Sequence, residues 1–345
     1  MNKVTPAFVR LAVDLAKQVF QVAGEDACGR VVYEERIKSR PAFSKLLAGL
    51  GAQVEVLLET GPGAQARARQ VQEAGAKVRI LPAQRVAEHR SGAKNDRNDC
   101  LAILRAGRDE ALHGVPVKTV HALEMQAEHR VRTGYIRRQT SIRNQVRGIL
   151  LEHGIAIAKS NSALALWVTR IQQDTSFPIP EMLREIIADL WAEWEHLGQR
   201  RKRLDRQLEQ IAQNDEVARR LMTIRGFGPI MTTALLAKQT QPERFPNARQ
   251  FAAYFGLVPD QHSSGSTVRL GRMTRRGDGY IRSLAVTGAQ SVLHRVRADA
   301  TGADDKRLQR WCRQHGKKGA AIRLANRNLR IAWILMTTQA EYQPQ

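Results

Sequence analysis

Apolar and polar positions alternate with a strand-like period in five short runs between residues 8 and 83. These runs read FVRLAVDLA, FQVAGED, RVVYEERIK, VEVLLET and KVRILPA. Helical patterns begin near Pro41, Gly63 and Ala83. The first three runs follow one another closely, which favours an antiparallel meander, whereas a helix separates the last two and favours a parallel crossover. The pattern predicts an α/β domain over residues 1–112.

A longer helical region is predicted over residues 113–215. Ile142, Val146 and Ile149 follow the four-three spacing of a coiled-coil seam. A second seam consists of Leu183, Ile187, Leu190, Trp194, Leu197, Leu204, Leu208 and Ile211. Residues 174–180, DTSFPIP, interrupt the region because paired prolines do not continue a helix. The region is therefore either a helical hairpin or a dimerising arm.

The third region, residues 216–345, is predicted to be mainly helical. It opens with RLMTIRGFGPIMTTALLA, in which Gly226 and Gly228 separate two apolar helical runs. This pattern indicates a helix-hairpin-helix turn, whose backbone N–H groups could meet a phosphate. The alternative is a tight corner between two helices with no ligand. A polar loop at residues 262–279 is expected to connect the later helices.

The charge balance identifies the class of partner. The 345 residues include 55 Lys and Arg against 33 Asp and Glu, a net charge of +22. Residues 261–330 alone hold 16 basic and 4 acidic side chains, so this region is expected to face phosphate. The three cysteines form no CxxC pair, and we find no pattern of a signal peptide or membrane span. We expect a cytoplasmic protein that binds nucleic acid.

Four carboxylates stand where a nuclease would hold metal ions. Asp14 interrupts an apolar strand, where an unpaired carboxylate is costly. Glu59 ends a later strand, and Asp96 and Asp99 are three residues apart on one face of a predicted helix. Two like charges on one face repel each other unless a cation lies between them. Glu55 points the same way as Glu59 but lies deeper in the strand, so we favour Glu59.

Together these acids have the layout of an RNase H-like nuclease site. In such a site, oxygen ligands hold two Mg²⁺ or Mn²⁺ ions roughly 3.5–4 Å apart. The ions polarise the phosphate and stabilise both the attacking and the leaving oxygen. Taken singly, each acid also fits a helix cap or a surface salt bridge, so the prediction depends on the whole set.

A hydroxyl-rich loop adjoins the most basic part of the chain. Ser263, Ser264, Ser266 and Thr267 surround Gly265. The arginines that follow are Arg269, Arg272, Arg275 and Arg276. A serine that attacks phosphorus needs an exposed position and nearby cations, and this loop supplies both. A loop that only binds phosphate has the same composition, and nothing local distinguishes the three serines.

The order of these motifs resembles that of the DEDD transposases of insertion-sequence-110-type elements, and most closely their 1111-type subgroup. The resemblance covers almost the entire chain. It rests on Asp14, on the Glu59-Thr60-Gly61 and Asp96-x-x-Asp99 motifs, and on the segments RQFAAYFGLVPDQHSSGS and RLGRMTRRGDGYIR. It implies a RuvC-like (RNase H-like) N-terminal domain, a helical coiled-coil arm and a mainly helical C-terminal transposase domain.

The resemblance also implies roles for single residues. Asp14, Glu59, Asp96 and Asp99 would be the catalytic metal ligands. Ser264, the serine directly before the glycine, would be the nucleophile that forms a 5′-phosphoserine link to DNA. The expected DNA contacts are Gly226, Gly228, the four arginines after the serine loop, Lys317 and Lys318.

The partners implied by the resemblance are donor and target DNA and a structured non-coding guide RNA that pairs with both. Dimers would assemble into a tetramer, in a bacterial cytoplasm and associated with the nucleoid. The arm carries arginines suited to the backbone of A-form RNA, since shape and phosphate dominate such recognition. They include Arg137, Arg138, Arg143 and Arg147. A salt-bridged coiled-coil face is the alternative for the arm.

Two other functions fit the same residues. A RuvC-like structure-specific endonuclease would cleave DNA with metal-activated water and use the serine loop only to bind phosphate. A basic DNA- or RNA-binding protein would keep the nuclease fold without activity. The presence of all four carboxylates argues against that second alternative.

Overall fold

Two units make up the chain in the computed structural model, Met1–Thr119 and Val120–Gln345. The structure describes residues 8–15, 19–93, 95–238, 241–262, 267, 269–340 and 342. The first unit is a mixed α/β domain and the second consists mainly of helices, as the sequence predicts. Among the helices of the described ranges, none is both long and apolar enough to cross a membrane.

Five strands form one sheet in the first unit: β1 (Arg10–Leu15), β2 (Phe20–Glu25), β3 (Val31–Ile37), β4 (Glu55–Glu59) and β5 (Lys77–Leu81). Their order across the sheet is β3-β2-β1-β4-β5. β1, β2 and β3 pair antiparallel, whereas β4 runs parallel to both β1 and β5. The predicted meander and the predicted crossover are both confirmed, because tight connections reverse the chain and a helix-containing connection does not.

Helices cover both faces of this sheet. They are α1 (Arg40–Ala48), α2 (Ala64–Glu73), α3 (Ala83–Glu88) and α4 (Asp96–Gly107). Because side chains alternate along a strand, Val13 and Leu58 pack on the side of α1 and α2. Ala12 and Leu57 pack on the opposite side, in the core that contains Cys100 of α4. The position of a residue along its strand therefore decides which helix layer it meets.

The first turn of α4 is fixed by a cap and by a buried thiol. Asn95 precedes the helix, and its side chain accepts the backbone N–H of Asn98 at 2.8 Å. Cys100 is fully buried, and its thiol donates to the carbonyl oxygen of Gln21 at 3.0 Å. These contacts hold the start of α4 against β2, which β1 separates from β4.

The second unit begins with the predicted arm, which consists of α5 (Val120–Glu152), α6 (Asn161–Gln173) and α7 (Glu181–Asn214). α5 and α7 pack against each other and share a core that includes Ile142, Val146, Ile187 and Leu197. The interruption predicted at residues 174–180 separates α6 from α7. A second break, between α5 and α6, is not predicted, because one glycine, Gly154, is a weak sequence signal for a helix end.

The remaining elements surround the largest core of the second unit. They are α8 (Glu216–Met222), α9 (Pro229–Lys238), α10 (Ala248–Tyr254), β6 (Pro259–Gln261), β7 (Leu270–Met273), α11 (Gly279–Arg295) and α12 (Ala303–Thr338). β7 lies inside residues 262–279, where the sequence predicts only a polar connection between helices, and it pairs antiparallel with β6 just before that segment. α12 bends at Gly316, whose φ is +67°.

The division into units differs from the three regions predicted from the sequence. The boundary predicted at residue 112 comes early, because the backbone N–H of Lys118 still bonds to Gln65 of α2 at 2.7 Å. The boundary predicted at residue 215 does not separate units, because α5 and α7 both pack against α9. Helical periodicity alone carries no information about such packing between distant segments.

Two glycines bring the turn between α8 and α9 against α11. The φ of Gly226 is +92°, in the region that favours glycine. A Cβ on Gly288 of α11 would lie 2.0 Å from the carbonyl oxygen of Gly226. A Cβ on Gly226 would lie 2.9 Å from the carbonyl oxygen of Gly288. Side chains are thus excluded at both positions by the close approach of the two backbones.

His129 of α5 joins three helices of the second unit. Its Nδ1 lies 3.0 Å from the hydroxyl of Tyr280 in α11, and its Nε2 lies 3.0 Å from the hydroxyl of Thr233 in α9. The ring is buried, and this burial, with the nearby charge of Arg132, lowers the pKa of His129 to about 4. The ring is therefore neutral in the folded protein over the physiological range.

We expect Gly288→Ala to lower the free energy of unfolding by about 2 kcal/mol, because the backbones at Gly226 and Gly288 must separate. Gly148→Ala is the matched control, since a Cβ on Gly148 meets nothing within 4 Å. That exposed helical change should raise the free energy of unfolding by about 0.5–1 kcal/mol. Urea unfolding measures both values, and equal effects of the two substitutions would contradict the close contact.

We also expect stability to fall as the pH is lowered from about 6.5 to about 4. The unfolded chain binds a proton at His129 in this window and the folded chain does not, so neutral His129 favours folding above it. The loss attributable to His129 is up to about 3 kcal/mol, at about 1.4 kcal/mol per pKa unit. His129→Asn should be less stable at pH 7 but should show a flatter pH dependence in urea unfolding. An unchanged slope would show that His129 is not the titrating group.

Candidate catalytic carboxylates and nucleic-acid contacts

Asp14 and Glu59 lie side by side at one edge of the sheet. The last register pair between β1 and β4 is Val13 with Leu58, so the next residue on each strand is a carboxylate. Both side chains project to the face of Ala12 and Leu57, which is the face covered by α4. Parallel pairing thus brings two acids together that are far apart in the sequence.

Asp96 and Asp99 approach the same edge from α4. They form the first turn of this helix, which packs on β1 and β2. Burial raises the pKa of Asp14, and the negative charges of Asp99 and Asp96 raise it further, whereas Arg90 opposes the increase. The three aspartates therefore share one electrostatic environment at the end of β1.

Arginines neutralise part of this negative charge. The Nε of Arg90 lies 2.6 Å from Oδ1 of Asp99. Neither atom is accessible to solvent, and neither makes a hydrogen bond of acceptable geometry despite this short approach. Asp96 has a weaker partner, since Nη2 of Arg36 lies 3.9 Å from Oδ2 and both side chains are more than half exposed. Arg90 is a residue that the sequence reasoning missed, because nothing local links it to Asp99.

The donor set suits a hard divalent cation, although the acids are not drawn together around one point. The carboxylate oxygens are the ligand type that Mg²⁺ and Mn²⁺ prefer, and Oδ1 of Asp99 is buried without a hydrogen bond. In the part of the chain that the structure describes, no group of three or more His, Cys, Asp or Glu is arranged to hold a metal ion. The four acids thus share one edge of the sheet without forming a closed set of ligands.

The acids at the other end of the strands are paired with arginines. Glu55 lies 3.1 Å from Arg79 and 3.7 Å from Arg10. Glu25 is fully buried and lies 2.8 Å from Arg10 and 2.6 Å from Arg108. Glu55 is therefore paired with two cations within the domain, and the preference for Glu59 as a metal ligand stays a prediction.

In the second unit, the glycines of the predicted helix-hairpin-helix differ from each other. Gly226 faces α11, so its contact with Gly288 already accounts for the glycine. Gly228 is exposed, and a Cβ there would meet nothing within 4 Å. The tight corner between helices is therefore real, and of the two predicted DNA contacts Gly228 is the one that faces open space.

The predicted nucleophile and its two neighbouring candidates, Ser264, Ser263 and Ser266, lie outside the described residues. The strands on either side, β6 and β7, form a hairpin that includes backbone bonding of His262 N–H to the Arg269 carbonyl oxygen at 2.8 Å. The four predicted phosphate contacts, Arg269, Arg272, Arg275 and Arg276, are all exposed.

Hydrogen bonds and an ion pair hold the RRGDG segment that follows β7. Arg282 donates to the carbonyl oxygens of Arg276 and Phe255, at 3.0 Å each. Asp278 caps α11 and pairs with Lys238 at 2.8 Å, and these contacts lower the pKa of Asp278 against the effect of its burial. Arg282 is thus a positioning residue that the sequence reasoning missed, because its partners are backbone carbonyls.

The arm arginines divide into two kinds. Arg147 donates to the carbonyl oxygens of Ala158, Lys159 and Ser160, so it holds the loop between α5 and α6. Arg143 bonds to side chains of α5 and α6. Arg143 and Arg147 therefore have partners within the arm, whereas their predicted contact with RNA stays a prediction. The exposed members of the predicted set are Arg137 and Arg138 on the arm and Lys317 and Lys318 after the bend in α12.

Two family models match parts of this chain. A DEDD-type IS110 model described as a transposase matches residues 11–155, which include all four carboxylates. The model of the transposase IS116/IS110/IS902 family matches residues 218–303, which include the glycine turn and the serine loop.

Similar proteins extend the match over nearly the whole chain. A probable family 20 transposase of Pseudomonas aeruginosa is 36% identical over 339 residues, covering 97% of this chain and 98% of the relative. The transposase for insertion sequence element IS1111A of Coxiella burnetii is 29% identical over 96% of this chain and 91% of its own length. The transposase for insertion sequence element IS1328 of Yersinia enterocolitica is also 29% identical, over 96% of this chain and 98% of its own length. The chain belongs to the IS116/IS110/IS902 family of transposases and is an enzyme that acts on DNA.

Proposed function

We propose that this transposase cleaves and rejoins DNA through a covalent phosphoserine, with divalent metal held by Asp14, Glu59, Asp96 and Asp99. The observation that carries the proposal is the electrostatic coupling of Asp14 to Asp96 and Asp99 at the edge where Glu59 also ends its strand. Like charges gathered at one edge are costly unless a cation joins them. The order and directions of the five strands support a RuvC-like, RNase H-like domain as the scaffold.

The carboxylates would hold two Mg²⁺ or Mn²⁺ ions. Bound there, such ions would supply positive charge to the oxygens of a scissile phosphate. Asp14 and Glu59 are fixed by the sheet, whereas Asp99 can serve as a ligand only after Arg90 leaves its Oδ1 atom. We therefore propose that Arg90 is the counter-ion of the metal-free site and moves away when the site is filled.

Ser264 would be the nucleophile, as the resemblance implies. Its hydroxyl oxygen would form a bond to phosphorus while the bond from phosphorus to the 3′ oxygen breaks. The serine loses its proton, and the departing 3′ oxygen gains one and becomes a hydroxyl. In the joining step a 3′ hydroxyl attacks the phosphoserine, and the serine hydroxyl is restored. The exposed Arg269, Arg272, Arg275 and Arg276 support this proposal, since cations at the phosphoryl oxygens stabilise developing charge.

A structured guide RNA encoded by the element would choose the donor and target DNA by base pairing. Exposed Arg137 and Arg138 on a long helix support a contact with an RNA backbone, which is recognised through phosphate and shape. The exposed Gly228 supports a helix-hairpin-helix contact with DNA phosphate. Lys317 and Lys318 would add further phosphate contacts, and dimers and tetramers would be the working assembly.

The covalent intermediate is tested by trapping it. The chain is expressed together with its flanking DNA, denatured, and digested with protease and nuclease before mass spectrometry. We expect a peptide containing residues 263–266 to carry a 5′-linked nucleotide on Ser264. Ser264→Ala should abolish this adduct, whereas Ser263→Ala and Ser266→Ala should retain it. Cleaved DNA with a free 5′ phosphate and no adduct would favour hydrolysis by metal-activated water, and an undiminished adduct in Ser264→Ala would identify another nucleophile.

The metal site is tested by binding, independently of activity. We expect Asp14→Asn to weaken Mn²⁺ binding by about tenfold or more, because one charged ligand is lost. Arg90→Gln should strengthen binding by about tenfold, since a cation that competes for Asp99 is removed. Calorimetric titration of the purified chain with Mn²⁺ measures both affinities, and Arg85→Gln, on an exposed ion pair of α3, is the matched control.

The same variants give a second readout. Without metal, Arg90→Gln should melt at a lower temperature than the native chain, because Asp99 loses its partner. Added Mn²⁺ should restore more stability to this variant than to the native chain. If the affinities of Asp14→Asn and Arg90→Gln both equal that of the native chain, the four carboxylates do not form the metal site.

A further inference from the structure

A groove of about 850 Å³ opens on the second unit beside the β6–β7 hairpin. One wall is α12, and the other is formed by the hairpin and the segment that follows α10. The volume of the groove is larger than that of a crevice filled only by water and lies within the range of volumes of sites that bind small ligands. Neither the carboxylates nor the proposed serine chemistry uses its residues.

Apolar side chains form slightly more than half of the groove's surface, although the groove is open to water. Leu257, Ile322 and Ile331 line it, and Leu270 and Ile334 are 62% and 44% exposed. Apolar side chains gathered in an open concavity mark a site for a ligand that has an apolar surface of its own.

An aromatic ring with a free donor lies among these side chains. Trp311 lines the groove and is only partly buried. Its indole N–H makes no hydrogen bond to any of the described residues. A ring of this kind offers both a stacking surface and one donor to a flat heterocyclic ligand.

The rim of the groove is cationic. Arg323 and Arg330 are exposed and make no ion pair or hydrogen bond with the residues that the structure describes. Arg327 and Arg307 are held at the side by Asp304, at 2.7 Å and 3.4 Å. The described lining includes no carboxylate, so its charge is complementary to an anion.

The bend in α12 gives the groove its concave shape. Trp311 and His315 precede Gly316, whereas Ile322 and Arg323 follow it, and all four side chains line the same groove. The φ of +67° and ψ of 168° at Gly316 interrupt the helix between these two pairs. A straight helix would present them along a line, whereas the bent helix places them around a cavity.

We propose that this groove binds an unpaired nucleotide of the DNA strand, with the base against Trp311 and the flanking phosphates on Arg323 and Arg330. A base within a duplex is stacked on both faces and cannot enter an apolar cavity, so the occupant must be unstacked. DNA is favoured over other anions because the groove adjoins the hairpin that carries the loop of the proposed nucleophile. In this respect the inference rests on the proposed function.

The groove is tested with short single-stranded DNA that carries one 5-iododeoxyuridine. Irradiation of its complex with the full chain should crosslink the modified base to Trp311, and mass spectrometry would locate the bond. In fluorescence anisotropy, Trp311→Ala should weaken single-stranded DNA binding by about tenfold, the size expected for one stacked base. Trp311→Phe keeps an aromatic face and should retain most of the affinity, which separates lost stacking from lost folding.

The rim is tested with a matched pair of double variants. The double variant Arg323→Gln with Arg330→Gln should weaken single-stranded DNA binding. It should also reduce the slope of log affinity against log salt concentration by the amount expected for about two phosphate contacts. Arg310→Gln with Arg313→Gln removes the same charge from exposed positions of α12 outside the groove and should have a clearly smaller effect. Duplex DNA of the same sequence should be affected little by Trp311→Ala.

Several outcomes would overturn the inference. The first is an equal loss of single-stranded DNA affinity in the two double variants, and the second is a loss of duplex affinity in Trp311→Ala that equals its loss of single-strand affinity. The others are tighter binding of RNA of the matching sequence and a crosslink outside the groove. If a protein binds through Trp311 and the bound DNA is not displaced, the DNA does not occupy the groove, which would then belong to a partner protein. The Ser264 adduct is measured on the same preparations. Absence of that adduct with intact groove binding would refute the proposed chemistry alone, and the reverse result would refute the groove alone.

Discussion

Repulsion between like charges at the end of β1 is the constraint on which the functional interpretation depends. Asp14, Asp96 and Asp99 come from two separate elements, and the fold places them where burial and mutual repulsion raise the pKa of Asp14. A structural role would have favoured neutral side chains at this edge, because charged groups close together and partly buried reduce stability. The arrangement is understandable if the compensating cation comes from outside the chain, with Arg90 as its partial substitute.

At the end of this sheet face that lies away from Asp14, arginines neutralise the acidic side chains. There Glu25 and Glu55 pair with Arg10, Arg79 and Arg108 at 2.6–3.7 Å. There the charges belong to the framework of the domain and keep the strands and α4 together. At the carboxylate edge, Asp99 pairs with Arg90 at 2.6 Å, and Asp96 pairs with Arg36 at 3.9 Å in a largely exposed pair. The proposed function assigns the acids at this end to a ligand, whereas those at the opposite end belong to the framework of the domain.

Sequence patterns predicted the elements of the first unit and the meeting of Asp14 with Glu59, because strand period, connection length and parallel pairing are local or topological properties. They did not predict the β6–β7 hairpin, since its residues include glycine and arginine and lack an apolar alternation. They also missed Arg90 and Arg282 and the bonds of Arg147 to the loop between α5 and α6. In each case the partner lies in another element or is a backbone carbonyl, and neither relation leaves a periodic signal in the chain.

The buried junction at His129 has a mechanical consequence. About 23 residues of α5 extend beyond it to Glu152, a length of about 35 Å at 1.5 Å per residue. Tyr280 at the junction is the second residue of α11 and directly follows the anchored RRGDG segment, so a hydrogen bond connects the root of the arm to the end of that segment. A rotation of about 10° at this pivot would displace the far end by about 6 Å. Such a rotation would act directly on the neighbouring segment that carries Arg275 and Arg276.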